Sequence, residues 1–532
     1  MIWACSSDGR ILPNSAPRRA RHIMLAGAQG QVISFQVGVL LKTFASKLDV
    51  TLSGSMMRYA SARLAELVPL MHQTRNTPFG MIESQAPAYV PDPLPPLRSQ
   101  PMDIRVSRSV WVSVRLPRRS MRGDVVLGVK LNGQLAGEVQ AEIRTWDFEL
   151  PPLELPVTNW FYSDAICDWY KVEPFSGRYW KLLEKYFANL VDHNQTAIYT
   201  PLFTPPLDAD KRLLQLVEVT ELAKGRYRFG WRKLKRWLDL ALGAGFKYFE
   251  MSHLFSQWGA AHAIRVVVNR SESQALLFRP DAPATGTVYK RFLQQFLPAL
   301  VKFLKGENVF ERCVFHLSDE PGQQHLEQYR AVREMVRSTV PEIRITEALS
   351  HVEFLKEQLI DQPVPVIDKL PDFLGAGVKP WTYTCCNPQG TYPNRFLDYP
   401  LYRLRVLGAM LYLWELKGFL HWGCNYWYRG GTRQLIDPFL VTDAHRWPDW
   451  FAGDPFIIYP GEDGPMDSIR WEVFRAAMDD YRLLKLADEK VGRDRVAGLL
   501  DAIRSPAQYP RSSDYLAGIG RVAASLVSPK VT

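Results

Sequence analysis

A chain of 532 residues, 47% apolar and 12% aromatic, has the composition of a globular protein with two or three packed domains, not of a disordered or fibrous one. The formal charge of +10 is spread thinly, and the Arg-rich patches at Arg18–Arg21, Arg115–Arg122 and Lys224–Arg236 lack the aromatic interleaving or zinc-ligand spacing of a nucleic-acid module, so they read as solvated faces. No run of about 18 apolar residues is present to span a bilayer. Met1–Cys5 has neither the charged start nor the apolar core of a signal peptide; the expectation is a cytoplasmic protein as written, secreted or periplasmic if the N-terminus is trimmed. The six cysteines form no C-x-x-C and sit mostly in apolar runs, which predicts free thiols. Sixteen tryptophans lean toward carbohydrate, because exposed indole rings stack on the C–H faces of sugars.

Residues 1–150 read as an all-β region. Gln31–Leu41, Asp103–Leu116, Gly123–Leu131 and Val139–Phe148 alternate as strands with one buried face, which predicts an N-terminal β-sandwich. Pro87–Pro101 is too proline-rich for helix or central strand and reads as an extended connector. Pro151–Pro156 reads as a linker.

From residue 157, strand-like runs alternate with helical patterns. The predicted strands are Trp160–Ile166, Thr196–Thr200, Phe246–Met251, Val314–Ser318, Arg344–Ala348, Val364–Ile367, Trp381–Cys385 and Gly418–Cys424. Helical patterns intervene at Tyr179–Val191, Trp231–Leu242, Val288–Phe303, Gln323–Val340, Val352–Leu359 and Leu401–Leu416. That rhythm predicts a (β/α)8 TIM-type barrel over residues 157–465. A doubly wound sheet is the rival, but no Gly-rich phosphate loop follows any strand. Residues 466–532, led by a long helix at Ser468–Val491, form a C-terminal helical extension.

The stretch Cys313–Pro321 organises the rest. It is a short apolar strand running into two adjacent carboxylates, Asp319 and Glu320, at the place where barrel enzymes put their chemistry. Either acid has a plainer reading: Asp319 as a helix cap, Glu320 as a first-turn glutamate favoured by the helix dipole. Other strand ends supply Asp164, Glu250, His253, Trp258, Trp381, Tyr383, Asn394, Trp422 and Asn425, and aromatic walls with amides and carboxylates suit a sugar. Asp164 and Glu250 are reserve carboxylates, His316 reads as a core histidine, and Asp437 as a turn residue. The barrel histidines show no H-x-x-x-H pair, so no metal or other cofactor is expected. No serine lies in a G-x-S-x-G elbow.

Several of these segments together resemble glycoside hydrolase family 123: Phe315–Pro321, Ser256–Gly259, Trp381–Cys386, Asn394-Arg395, Gly418–Asn425, Tyr459–Gly461 with Asp463-Gly464, and Ser468–Arg470. The resemblance covers about residues 157–490, and the N-terminal region looks like the family's β-sandwich. It implies a retaining β-N-acetylgalactosaminidase that uses the substrate's own 2-acetamido group as nucleophile, through an oxazolinium ion. Mapped by motif, Glu320 is the general acid/base and Asp319 orients the acetamido group. Tyr383 binds the acetamido oxygen, Trp381 and Trp422 wall the pocket, and Asn425 or Asn394 reads hydroxyls; Trp258 and His253 complete the expected substrate contacts. The partner implied is an amino-sugar glycan, with no nucleic acid and no membrane. Two alternatives stay open. One is a conventional two-carboxylate glycosidase with Asp164 or Glu250 as nucleophile; the other is a non-catalytic carbohydrate-binding protein on the same fold.

Overall fold

Alternation sets up the N-terminal region. Successive side chains in a strand point to opposite sides, so Arg108–Arg115 (RSVWVSVR) puts Val110, Val112 and Val114 on one face and Trp111 on the other. In the computed structural model, which describes residues 1–98, 100–204, 212, 214–270 and 273–528, this strand pairs antiparallel with Val32–Val39 and Ala60–Leu64. Ile2–Ser6 extends that sheet beyond Val32–Val39. A second sheet runs in the order His22–Gln29, Gln134–Glu149, Met121–Leu131, Ala45–Ser53, Gln100–Met102. Phe35, Val37, Val112, Leu127, Val139 and Ala141 from the two sheets meet in one fully buried apolar cluster. Trp111 belongs instead to the large core of the following region, so the first sheet is covered on both faces.

The proline-rich connector is not wholly unpaired. Ala88–Pro91 forms a two-stranded ribbon with Leu67–Leu70, and Gln100–Met102 joins the edge of the second sheet. Edge positions tolerate proline because no ladder hydrogen bond is asked of its missing N–H. Ser99, within that connector, lies outside the described residues, as do residues 529–532 of the C-terminal extension.

Eight short parallel strands follow: Val157–Asn159, Ala197–Thr200, Tyr248–Met251, Cys313–Phe315, Thr346–Leu349, Gln362–Pro365, Trp381–Thr384 and Gly418–His421. Their ladders form three groups. The seventh, eighth and first strands pair in one, the second, third and fourth in another, and the fifth and sixth in a third. Single bridges, Phe315 to Ile345 and Val366 to Tyr383, link the groups, and Thr196 N donates to Val157 O (3.1 Å). The helices Gly177–Asp192, Arg232–Ala244, Thr287–Gly306, Leu326–Thr339 and Tyr402–Leu413 lie between strands. The helix expected at Val352–Leu359 is a single turn, Glu353–Lys356. Ile469–Val491 is capped by Ser468, whose Oγ accepts from Trp471 N at 3.0 Å. The protein is thus mixed α/β, and no helix among the described residues is long and apolar enough to cross a membrane.

The first predicted strand is displaced. Val157–Asn159 is the strand, whereas Ser163–Tyr170, which contains Asp164 in its first turn, is a helix with Ala165, Ile166, Cys167 and Tyr170 buried. A run of seven residues is too short for periodicity to separate a strand from a buried helix.

Buried ion pairs tie the regions together. Asp92, from the connector, accepts from Arg470 Nε (3.0 Å) and Nη2 (2.8 Å), with both side chains essentially inaccessible. Arg470 Nη2 also donates to Phe456 O, and Tyr459 Oη donates to Asp92. Arg63 reaches from the first sheet to Asp467 and Glu472.

Candidate active site

The parallel strands deliver their C-terminal ends to one cavity of about 130 Å³. It is lined by Trp160 and Tyr162 after the first strand, Gln257 and Trp258 after the third, Asp319 and Glu320 after the fourth, and Ala348 from the fifth. Tyr383, Cys385 and Cys386 come from the seventh, and Leu420, Trp422, Tyr426 and Trp450 from the eighth and the loops beyond it. Asp319 and Glu320 are the carboxylates of this lining.

The two acids sit differently. Asp319 is buried and accepts from Gln257 Nε2 at 2.9 Å; Glu320 is exposed and held at φ +45°, with its N–H on Ala348 O at 3.0 Å. Such a φ is uncommon for a residue with a Cβ. Burial, and then the charge of Glu320, push the Asp319 carboxyl well above its ordinary range, while Gln257 opposes. Two adjacent carboxyls, one of them buried, resist double ionisation, and burial disfavours the charge on Asp319. Tyr383 Oη donates to Glu320 Oε1 at 2.5 Å.

The loop carrying Gln257 and Trp258 is fastened to the acids. Trp258 N donates to Asp319 O (2.8 Å), and Ser318 Oγ accepts from Ala260 N (3.1 Å) while donating to Ser256 O (2.8 Å). Trp258 (φ +53°) presents a half-exposed ring, and Gly259 takes φ +110° where a Cβ would meet the His325 ring at 2.4 Å. On the opposite wall, Trp422 packs on Trp450 (centroids 4.8 Å) and donates from Nε1 to Asp454 Oδ2 at 3.1 Å.

Beneath the cavity lies a charged floor. Glu250 Oε1 accepts from Trp160 Nε1 and pairs with His316 Nε2, both at 2.7 Å. His316 Nδ1 faces Glu347 Oε1 at 3.5 Å, and Glu347 Oε2 accepts from Ser318 N (2.8 Å) and Tyr329 Oη (2.9 Å). Burial alone would discharge His316, but the two flanking carboxylates outweigh it and raise the ring to about 10. His253 lies beside His316, ring centroids 4.7 Å apart and tilted by 31°, and burial and that neighbouring charge push it well below its ordinary value. His253, His316 and Glu347 bring ligand-type atoms within 4.8 Å of one another, as do His193, Asp467 and Glu472. Neither grouping was foreseen, because each joins residues from distant strand ends or helices.

Asp319, Glu320, Tyr383, Trp422 and Trp258 of the predicted residues thus share one cavity, and four others do not reach it. Trp381 opens its strand and lines a cavity at the other end, with Tyr248, Arg344 and Gln362; only Tyr383, two residues on, comes up to the acids. Asn425 clamps backbone: Oδ1 accepts from Tyr162 N (2.8 Å) and Nδ2 donates to Tyr162 O (3.0 Å). Asn394 likewise donates to Cys385 O and Pro388 O. His253 lies under Trp160 and meets Tyr199 Oη at 2.9 Å. Of the reserve acids, Glu250 is in the floor, and Asp164 is buried in its helix. Sequence reasoning also missed Trp450 and Glu347, which carry no local signal.

Residues 160–487 match the profile described as the catalytic domain of glycoside hydrolase 123. A solved family 123 glycoside hydrolase from Clostridium perfringens superposes with a TM-score of 0.76 at 14% identity, covering 100% of this chain and 98% of that one. A family 39 glycoside hydrolase from Bacteroides cellulosilyticus WH2 reaches only 0.34, at 10% identity over 86% of this chain and 81% of that one. A family 5 xyloglucanase from Bacteroides ovatus reaches 0.28, at 9% identity over 79% and 96%. No curated protein matches the chain. The protein is a glycosidase acting on glycans. It belongs to glycoside hydrolase family 123.

Proposed function

We propose that this enzyme is a retaining β-N-acetylhexosaminidase that releases terminal β-linked N-acetylgalactosamine by substrate assistance. The observation that carries the reading is the pocket's pair of carboxylates, which are neighbours on one strand end. Conventional retaining glycosidases set two carboxyls about 5–5.5 Å apart across the scissile bond, one of them the nucleophile. Adjacent residues on one side of a ring do not straddle it, and Glu250 and Asp164 do not line the cavity. A 2-acetamido sugar supplies the missing nucleophile: its carbonyl oxygen attacks the anomeric carbon and forms an oxazolinium ion.

Asp319 accepts the acetamido N–H, which favours its ionised form and leaves the proton to Glu320. Glu320 protonates the leaving oxygen and then takes a proton from the attacking water. Asp319 stabilises the positive charge that develops on the acetamido group. Tyr383, bonded to Glu320 in the free site, turns to the acetamido oxygen, while Trp258 and Trp422 flank the sugar. The C. perfringens structure is described as acting on glycolipid glycans; glycans of that kind are the substrate class proposed here.

The same reading takes the eight parallel strands as one closed (β/α)8 ring over residues 157–465, with residues 1–150 a β-sandwich and 466–532 a helical extension. The circular order of ladders and bridges supports it, as does the packing of Leu483, Leu484 and Leu516 on the Tyr402–Leu413 helix.

The test is hydrolysis of an aryl β-N-acetylgalactosaminide with a thiazoline mimic of the intermediate as inhibitor, and product anomer read by NMR. Glu320→Gln is expected to lose most activity on substrates with poor leaving groups. Cleavage of unsubstituted galactosides with indifference to the thiazoline overturns substrate assistance.

A further inference from the structure

The pocket wall holds two groups that the hydrolytic chemistry does not use, the adjacent thiols of Cys385 and Cys386. Both line the cavity, and their Sγ atoms are 4.0 Å apart. All six cysteines are free; Cys5, Cys167, Cys313 and Cys424 are buried, whereas this pair is only partly buried. The backbone around the pair is held. Cys385 N donates to Asn387 O (3.0 Å), Asn394 Nδ2 to Cys385 O (2.8 Å), and Gln389 Nε2 to Cys386 O (2.6 Å). Cys385 Sγ also donates to Asn387 O and accepts from Asn387 N, both at 3.4 Å, so bringing the sulfurs together strains side chain and backbone alike. A disulfide brings sulfurs to about 2.05 Å, so closing the gap takes about 2 Å of combined displacement. Adjacent Cα atoms lie about 3.8 Å apart, below the roughly 4.4–6.8 Å of ordinary disulfides, so the ring formed is strained and easily reduced.

We propose that Cys385 and Cys386 are a reversible oxidation site in the wall of the sugar pocket, where a low-molecular-weight disulfide converts the two thiols to a vicinal disulfide and lowers turnover. The Cys386 thiol beside it, and burial, raise the Cys385 thiol well above its ordinary range, which leaves Cys385 the poorer initial nucleophile. The Cys386 thiolate attacks one sulfur of the small disulfide, forming a mixed disulfide and releasing one small thiolate, which takes up a proton. Cys385 then attacks the Cys386 sulfur and gives up its proton, the Cys385–Cys386 bond forms, and the second small thiol leaves. The protein loses two hydrogens and two electrons, and the small disulfide gains them. Turnover responds because Tyr383, the partner of Glu320, is two residues from the ring. Closing the ring pulls on the strand end that sets this contact.

The test poises the full-length protein in glutathione redox buffers, alkylates it, and maps the peptide spanning residues 385–386 by mass spectrometry, with turnover measured on the same samples. The expected result is a peptide lighter by two hydrogens with neither cysteine alkylated, regenerated by dithiothreitol. Turnover should fall roughly 10–100-fold, the scale of an ångström-sized misplacement beside reacting groups. Cys386→Ser is expected to abolish both the linked peptide and the ratio between oxidised and reduced turnover. Independent alkylation or stable glutathionylation of the two cysteines across the whole redox range overturns the proposal, and so does a linked peptide with unchanged turnover. The mass readout needs no substrate, so a protein inert on every glycoside is recognised as a failure of the hydrolase reading rather than of the thiol chemistry.

Discussion

Replacing His316 with glutamine tests the charged floor of the pocket. The buried ring has an ordinary value of 6.5 and is held near 10 by Glu250 and Glu347. At about 1.36 kcal/mol per pH unit, that difference amounts to on the order of 5 kcal/mol of folding free energy. The sign follows from proton counting. Because the folded value is raised, the contribution is complete below pH 6.5 and is lost as pH rises through about 10. Between those limits the folded state holds one proton that the unfolded state has released, so stability falls by about 1.4 kcal/mol per pH unit. Burial raises the Glu347 carboxyl too, which adds to the loss on the alkaline side of its ordinary value. Urea denaturation of the wild type and of His316→Gln at pH 7, 8 and 9 is expected to show the steeper decline only in the wild type. Imidazole 15N shifts should report a doubly protonated His316 at pH 8. Equal slopes in the two proteins, or a neutral ring at that pH, refute the account.

Tyr383→Phe removes a donor to a carboxylate at 2.5 Å; a hydrogen bond to a charged group is worth about 1.5–3 kcal/mol, so kcat/KM should fall about 10–100-fold with the melting temperature little changed. Arg470→Met leaves Asp92 as an uncompensated buried charge, and thermal or urea denaturation should report a loss of about 3–5 kcal/mol.

Legibility followed the range over which each signal acts. Tyr383 and Trp422 were readable because they sit in or directly after an apolar strand, and the acids at 319 and 320 because they follow the strand Cys313–Phe315 by four and five residues, ahead of a helical pattern. Alternation explains Trp381: it shares a face with Tyr383 but belongs to the opposite end of a four-residue strand, and sequence alone did not set the register of those ends. Asn425 and Asn394 were chosen as amides suited to sugar hydroxyls, yet an amide matches a backbone N–H and C=O equally well, and both are spent on the chain itself. Arg470 and Tyr459 stood out in motifs and turn out to anchor Asp92. The charged floor joins Glu250, His316 and Glu347 from three strands, so no window of sequence contains it.

The sheet that is covered on both faces has a practical consequence for dissecting the enzyme. Cutting the chain before residue 157 to express the hydrolytic part by itself removes Trp111 from the shared core and takes Asp92 and Arg63 with it. Arg470, Asp467 and Glu472 then lose cross-region counter-charges, and an apolar flank is opened to water. The leading 150 residues supply packing and counter-charge that the hydrolytic part relies on, and shortened versions intended for crystallisation or display should keep them.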